Sequence, residues 1–187
     1  MHTPNIDALA KEGVLFQRAY VQQSICSPTR NSFLSGRTPD QTQVWNFFDN
    51  FRNGSADGES WVALPEFFRN AGYWTVGAGK VYHPNHPPQA DYPRSWSEPW
   101  PGEFSECTCT TPDGLAEAAS CDGMVGNCQE GQIVQTVLDQ LKVGRERYEA
   151  NGTNFFVAAG FHKPHLPFFA PQPYFDLYRE AAKSPPE

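Results

Sequence analysis

The sequence predicts an α/β layered fold with a largely parallel central sheet. Two observations carry that reading. Segments of helical and strand-like periodicity alternate along the chain, and the cationic and imidazole side chains collect immediately after the strand-like runs, where ligands gather in open parallel sheets. The 187 residues, 39% hydrophobic and 19% charged, are enough for one sizeable core.

Taken in order, Thr3 and Pro4 read as N-cap and first-turn residue of a helix whose stripe is Ile6, Leu9 and Ala10, ended by Gly13. "VLFQRAYV" (14–21) is β-branched and aromatic enough for a strand. Ser27 as N-cap, Pro28 as first helical residue and Gly36 as terminator mark a second helix. Trp61, Leu64, Phe67 and Phe68 suggest a helix within 60–72, followed by the strand "YWTVGAGK" (73–80). The longest helical pattern runs over about 132–149, with Ile133, Val134, Val137, Leu138 and Leu141 on one face, and "NFFVAAG" (154–160) follows as a buried type of strand. Between 82 and 106 lies a loop rich in Pro and Trp without periodicity; it reads as irregular packed surface, or functionally as a pocket wall.

The formal charge of −7 argues against a broad basic face for nucleic acid or anionic membrane, so an anion has to be met by a local cluster. No apolar run approaches the roughly 20 residues of a membrane span, and "MHTPNIDALAKEG" has no signal-peptide pattern. Of five cysteines, Cys107, Cys109, Cys121 and Cys128 crowd one segment and Cys26 stands alone. Disulfides in an oxidising compartment are the favoured reading of the four, with a zinc site as the alternative, since "CTC" is too short for the usual knuckle. The sequons at Asn53 and Asn151 give weak support for a secretory compartment and are candidate glycosylation sites.

The candidate site is made of Cys26, Arg30, Lys80, His83, His162, Lys163 and His165, all in the three segments that follow the strand-like runs. A thiol at a helix N-terminus near an arginine has a lowered pKa and is a candidate nucleophile; a small buried cysteine is the plain alternative. The spacing Cys-x-Pro-x-Arg is not the longer cradle of cysteine phosphatases. His162 and His165 could form a metal pair, but Pro164 interrupts the helix that would align them. His2 and His86 read as exposed loop residues, and Asp7, Asp40 and Asp49 as caps, turns or surface charges.

"CSPTRNSFLSGR" resembles the signature of the type I, formylglycine-dependent sulfatases, in which the cysteine of Cys-x-Pro-x-Arg is oxidised to formylglycine. "TPNIDALAKEGVLFQRAYV" is similar to the family's opening helix and strand; "GKVYHP", "GFHKPHLPF" and "SGRTPDQTQVWNF" resemble its iduronate-2-sulfatase branch more than its arylsulfatases. These ordered blocks cover nearly the whole chain. The resemblance implies an alkaline-phosphatase-like fold, with residues 1–187 as an N-terminal portion of the catalytic domain, truncated at both ends. It implies a sulfuric ester hydrolase acting on sulfated carbohydrates, with iduronate 2-sulfate of glycosaminoglycans as substrate, in the lysosome or secreted.

By the same resemblance Cys26 is converted by a formylglycine-generating enzyme, Arg30 orients the product, and Lys80 binds and polarises sulfate. His83 stabilises or deprotonates the hydrated aldehyde, His162 is proton donor at the bridging oxygen, and Lys163 and His165 are further substrate contacts. Calcium (Ca2+) is the implied metal, with the formylglycine at position 26 as one ligand; the family's carboxylate ligands have no counterpart in these motifs. Implied disulfides are Cys109 with Cys121 and Cys107 with Cys128. The alternatives are a sulfatase for a different sulfated sugar, a non-catalytic remnant that binds sulfated polysaccharide, and a zinc module.

Overall fold

The structure is a computed structural model, and it describes residues 2–102, 104, 118–121, 128–166 and 168–178. Its elements in chain order are α1 (Pro4–Glu12), α2 (Cys26–Ser35), α3 (Pro39–Thr42), α4 (Leu64–Asn70), β1 (Trp74–Gly79), β2 (Ala118–Cys121), α5 (Gln129–Asn151), β3 (Phe155–Gly160), β4 (Phe168–Pro171) and α6 (Gln172–Asp176). β1 pairs in parallel with β3, from Trp74 opposite Phe155 to Gly79 opposite Gly160. β2 pairs in parallel with β4. The α/β class and the parallel pairing expected from the sequence are therefore present.

Trp74, Val76 and Ala78 on one face of β1 and Thr75 and Gly77 on the other are all buried, as a parallel strand covered on both faces requires. α5 lies against β1 and β3. Beyond the strands sits a core of Leu34, Phe51, Ala63, Val81, Tyr82, Ala90 and Trp96, with Trp100, Phe156 and Ala158 packed on it. The Pro- and Trp-rich loop is thus part of the core: Trp96 is fully buried and its indole donates to the Ala90 carbonyl at 2.6 Å.

Arg52 is the hub of that core. Its guanidinium donates to both carboxylate oxygens of Asp91, at 2.9 and 2.7 Å, to Glu66 at 2.7 Å and to the Trp61 carbonyl. Arg94 adds a second cation on Glu66 at 3.1 Å. Asp91 ends a run of three non-glycine residues, Gln89, Ala90 and Asp91, with φ of 52°, 52° and 67°. Each such left-handed residue costs about 1–2 kcal/mol, so the loop needs an anchor, and the bidentate Arg52–Asp91 pair provides it. Burial alone would push the Glu66 carboxyl up; the bonds from Arg52 and the Ala63 amide outweigh it and hold the group below its ordinary value.

Several expectations are corrected. Residues 14–21 form no strand: among the described residues nothing pairs with them, and Val14, Phe16 and Tyr20 are 80%, 78% and 81% exposed. A strand exists only through its partner's hydrogen bonds, which propensity does not supply. α1 forms as expected, yet buries none of its residues. α2 starts at Cys26 with Ile25 as the N-cap, ahead of the predicted Ser27, and Pro28 falls within its first turn, where no amide donor is needed. α5 starts at Gln129 and faces the strands with Ile133 and Gly144, while Val134, Leu138 and Leu141 remain exposed. The contact is governed by fit: Gln140 donates to the Gly77 carbonyl at 3.1 Å, and a β-carbon on Gly144 would come within 2.8 Å of the Phe155 ring. His86 is half-buried against His83, with ring centroids 5.7 Å apart, so it is not a freely exposed loop residue.

Two outcomes follow for stability. Arg52→Ala leaves buried Asp91 without its cation and Glu66 with Arg94 alone, and lowers unfolding free energy by about 3–5 kcal/mol in urea titrations. Because the folded Glu66 pKa is depressed, its contribution is fully present above the unfolded carboxyl value of about 4.3 and is lost as pH falls through the lower folded value. The gap between the two proteins therefore persists at weakly acidic pH and narrows only below that value. Gly79→Ala, at φ 77° with a would-be β-carbon 2.2 Å from the Gly160 carbonyl oxygen, lowers stability by at least about 2 kcal/mol.

Candidate active site

The end of β1 and the start of α2 meet at one place. After Gly79 the chain turns sharply: Lys80 donates its amide to the Gly160 carbonyl at 2.7 Å, and the Val81 amide reaches the Gly79 carbonyl at 3.1 Å. This turn buries Lys80, a residue whose ammonium ordinarily stays in water. On the α2 side, Cys26 is the first helical residue and Arg30 follows one turn later on the same face. The Arg30 guanidinium crosses to the carbonyls of Lys80 and of Val81, the latter at 2.9 Å. Thr29 ties the approach to the helix by donating its hydroxyl to the Gln23 carbonyl. Asn31, buried one residue further on, accepts from the Phe51 amide at 2.8 Å and joins α2 to the core.

Cys26 is half-buried and is a free thiol. Burial pushes the Arg30 pKa down and a charge at Cys26 counteracts this. Burial likewise lowers Lys80; Cys26 raises it and Arg30 lowers it further. The position of residue 26 is thus one where negative charge interacts favourably with two crowded cations. His83 lies next along the chain, and its pKa is depressed by burial first and by Lys80 second. Its Nδ1 is buried and has no hydrogen-bond partner, and its ring packs on Phe47 with centroids 5.3 Å apart.

Beside this junction opens a cleft of about 840 Å3, lined by Lys80, His83, Gln129 and His162 together with Tyr92 and Trp100 of the Pro- and Trp-rich loop. That loop is both packed core and pocket wall. A smaller cavity of about 410 Å3 also touches Lys80 and is lined by Arg30 and Phe161. Cys26 is on neither wall, and Lys80 is on both. The turn after β3 carries His162, whose Nδ1 lies 2.9 Å from the Gln129 amide nitrogen. Glu130 accepts the backbone amides of His162 at 3.2 Å and Lys163 at 3.0 Å. His165 is exposed with Nδ1 at 2.8 Å from the Leu166 carbonyl, and neither it nor Lys163 lines the cleft.

Cys26, Arg30, Lys80, His83 and His162 are therefore brought to one end of the β1–β3 pair. Reading the sequence did not single out Gln129, Glu130 and Phe47; a glutamine and a glutamate opening a helix look like ordinary first-turn residues. Among the described residues no group of three or more His, Cys, Asp or Glu could hold a metal ion, and the immediate neighbours of Cys26 are cations, so these residues do not by themselves fit calcium. Asp7 and Asp49 serve local turns, accepting from Thr3 at 2.9 Å and Asn46 at 3.1 Å. Asn53 and Asn151 are exposed. Cys128 is buried and disulfide-bonded, while the side chains of Cys107, Cys109 and Cys121 lie outside the described residues. No helix among the described residues is long and apolar enough to cross a membrane.

The mouse (Mus musculus) iduronate 2-sulfatase is 38% identical over 190 residues, covering 95% of this chain and 33% of that protein. The human (Homo sapiens) iduronate 2-sulfatase is 36% identical, covering 95% of this chain and 34% of its own length. A sulfatase of Formosa agariphila is 31% identical over the whole chain and 39% of its own length. The chain thus spans about a third of the length of the curated relatives it matches. Residues 1–185 match the sulfatase family, and with the site's arrangement this places the chain as a member of the sulfatase family.

Proposed function

We propose that this chain carries the sulfate-binding and reactive centre of a carbohydrate sulfatase whose substrate is an iduronate 2-sulfate ester of glycosaminoglycans. The observation that carries the reading is the position of Cys26 in the first turn of α2, where it interacts with two cations, half-buried Arg30 and buried Lys80. Similarity to the mouse and human iduronate 2-sulfatases supports the choice of sugar.

In this reading Cys26 is oxidised by a formylglycine-generating enzyme; hydrated, the aldehyde supplies two hydroxyls on one carbon, one to attack sulfur and one to release sulfate later. The chain's own residues do the rest. Arg30, fixed on the carbonyls of Lys80 and Val81, holds residue 26 in place. Lys80 meets the sulfate: a unit charge about 4 Å away contributes roughly 4 kcal/mol at an effective dielectric of 20, against 0.3–1 kcal/mol from a helix terminus. His83, kept neutral by burial and by Lys80, can take a proton at its orphaned Nδ1. His162 faces the same cleft as donor to the bridging oxygen. Tyr92 and Trp100 offer apolar walls to a sugar ring.

The residues 1–187 are read as an N-terminal part of the catalytic domain. Cys107 with Cys128 and Cys109 with Cys121 are the proposed disulfides, and exposed Asn53 and Asn151 the proposed glycosylation sites, in keeping with a lysosomal or secreted protein.

The test is hydrolysis of a sulfated iduronate disaccharide alongside a panel of other sulfated sugars, by protein co-expressed with a formylglycine-generating enzyme. Cys26→Ala abolishes turnover, and Lys80→Ala lowers kcat/KM by at least about 100-fold, the size set by the charge estimate above. Preference for another sulfated sugar overturns the substrate, and retained turnover in Cys26→Ala overturns the mechanism. Independently of turnover, an NMR titration finds His83 titrating below the ordinary histidine value, and Lys80→Met moves it upward because the second cause of its depression is gone.

A further inference from the structure

We infer that Gln129 is a positioning residue that fixes the imidazole of His162 in the tautomer carrying its hydrogen on Nε2. The Gln129 Nε2 lies 2.9 Å from His162 Nδ1. A primary amide nitrogen only donates, so Nδ1 accepts, and a neutral ring whose Nδ1 accepts holds its hydrogen on Nε2. The opposite amide orientation, with the Gln129 oxygen toward the ring, would select the opposite tautomer, and the experiment below separates the two.

The surroundings are built to hold this contact. Gln129 is the first residue of α5 and follows Cys128, which is buried and disulfide-bonded, so the start of the helix is anchored. Glu130, the next residue, accepts the backbone amides of His162 and Lys163 at 3.2 and 3.0 Å. One helical turn thus grips His162 by ring and by backbone. The His165 ring packs edge-on at 5.4 Å, and the His165 amide donates to the His162 carbonyl at 3.0 Å, closing the turn from the other side. The ring's freedom to rotate and exchange tautomers is removed before any substrate arrives.

The consequence for catalysis rests on the sulfatase reading; the tautomer itself does not. With Nδ1 occupied by a donor, protonating the ring there breaks the Gln129 bond, so His162 acts as a neutral Nε2–H hydrogen-bond donor toward the oxygen that gains negative charge as the ester breaks.

The measurement is long-range nitrogen–proton correlation NMR of the imidazole rings in the 15N-labelled chain, with His162 assigned by its disappearance in His162→Asn. Neutral His162 is expected to show hydrogen on Nε2 and a bare Nδ1. Gln129→Leu turns that single signature into a mixture of tautomers, and Gln129→Glu, which presents an acceptor, moves hydrogen onto Nδ1. Hydrogen on Nδ1 in the unaltered chain overturns the inference, as does an unchanged signature in a folded Gln129→Leu protein. Should Gln129→Leu fail to fold, the unaltered chain and Gln129→Glu still decide. No turnover is read, so a failure of the sulfatase reading leaves this result distinguishable.

Discussion

The site exists because the Arg30 guanidinium bonds to the carbonyls of Lys80 and Val81. Hydrogen bonds from a charged donor are worth about 1.5–3 kcal/mol each, and an uncompensated buried cation is far more costly than the same group in water. This pair of bonds therefore locks the first turn of α2 to the turn that leaves β1. It adds to the ties that α2 already makes to the core through Asn31 and Leu34. Residue 26 interacts with both cations, whose partial burial lowers their pKa values and favours an anion beside them. Arg30 spends its Nη1 on two backbone carbonyls and so braces the junction, while its Nε is buried without a hydrogen-bond partner.

The same logic of a buried arginine recurs in Arg52. Its bonds to Asp91 hold three consecutive left-handed residues, and those residues turn the chain so that Tyr92 and Trp100 line the cleft. One arginine thus shapes the reactive end of the site and the other shapes its wall. His162 comes from a third direction, carried by the turn after β3 and steadied by the first turn of α5. The site is assembled from four stretches distant in sequence and is positioned by the parallel register of β1 on β3.

Much of this was legible in the sequence. The strands 74–79 and 155–160 and the long helix between them are marked by apolar runs of distinct length and period, and the rule that ligands gather after parallel strands picked out Lys80, His83 and His162. The sequence put Cys26 at the seam before a helix begun by Ser27 and Pro28, and the structure draws it into the first turn of that helix. What failed depends on partners the local sequence does not encode. Residues 14–21 have strand propensity but no neighbour among the described residues to pair with, and α1 has a stripe none of whose residues is buried. The buried face of α5 was misjudged because Gly144 and Gln140, neither of them a hydrophobic signal, make its close contacts. Gln129 could not be found at all, since its meaning lies in a contact 33 residues away in sequence.

The most direct test of the central claim is mass spectrometry of the peptide containing Cys26, from protein co-expressed with a formylglycine-generating enzyme. If residue 26 is the reactive centre that Arg30 holds against Lys80, the peptide appears lighter by about 18 Da, the change for thiol to aldehyde. If only the unmodified cysteine is recovered under conditions that convert a known sulfatase, residue 26 is not a sulfatase nucleophile, and the cationic junction is a binding site rather than a catalytic one.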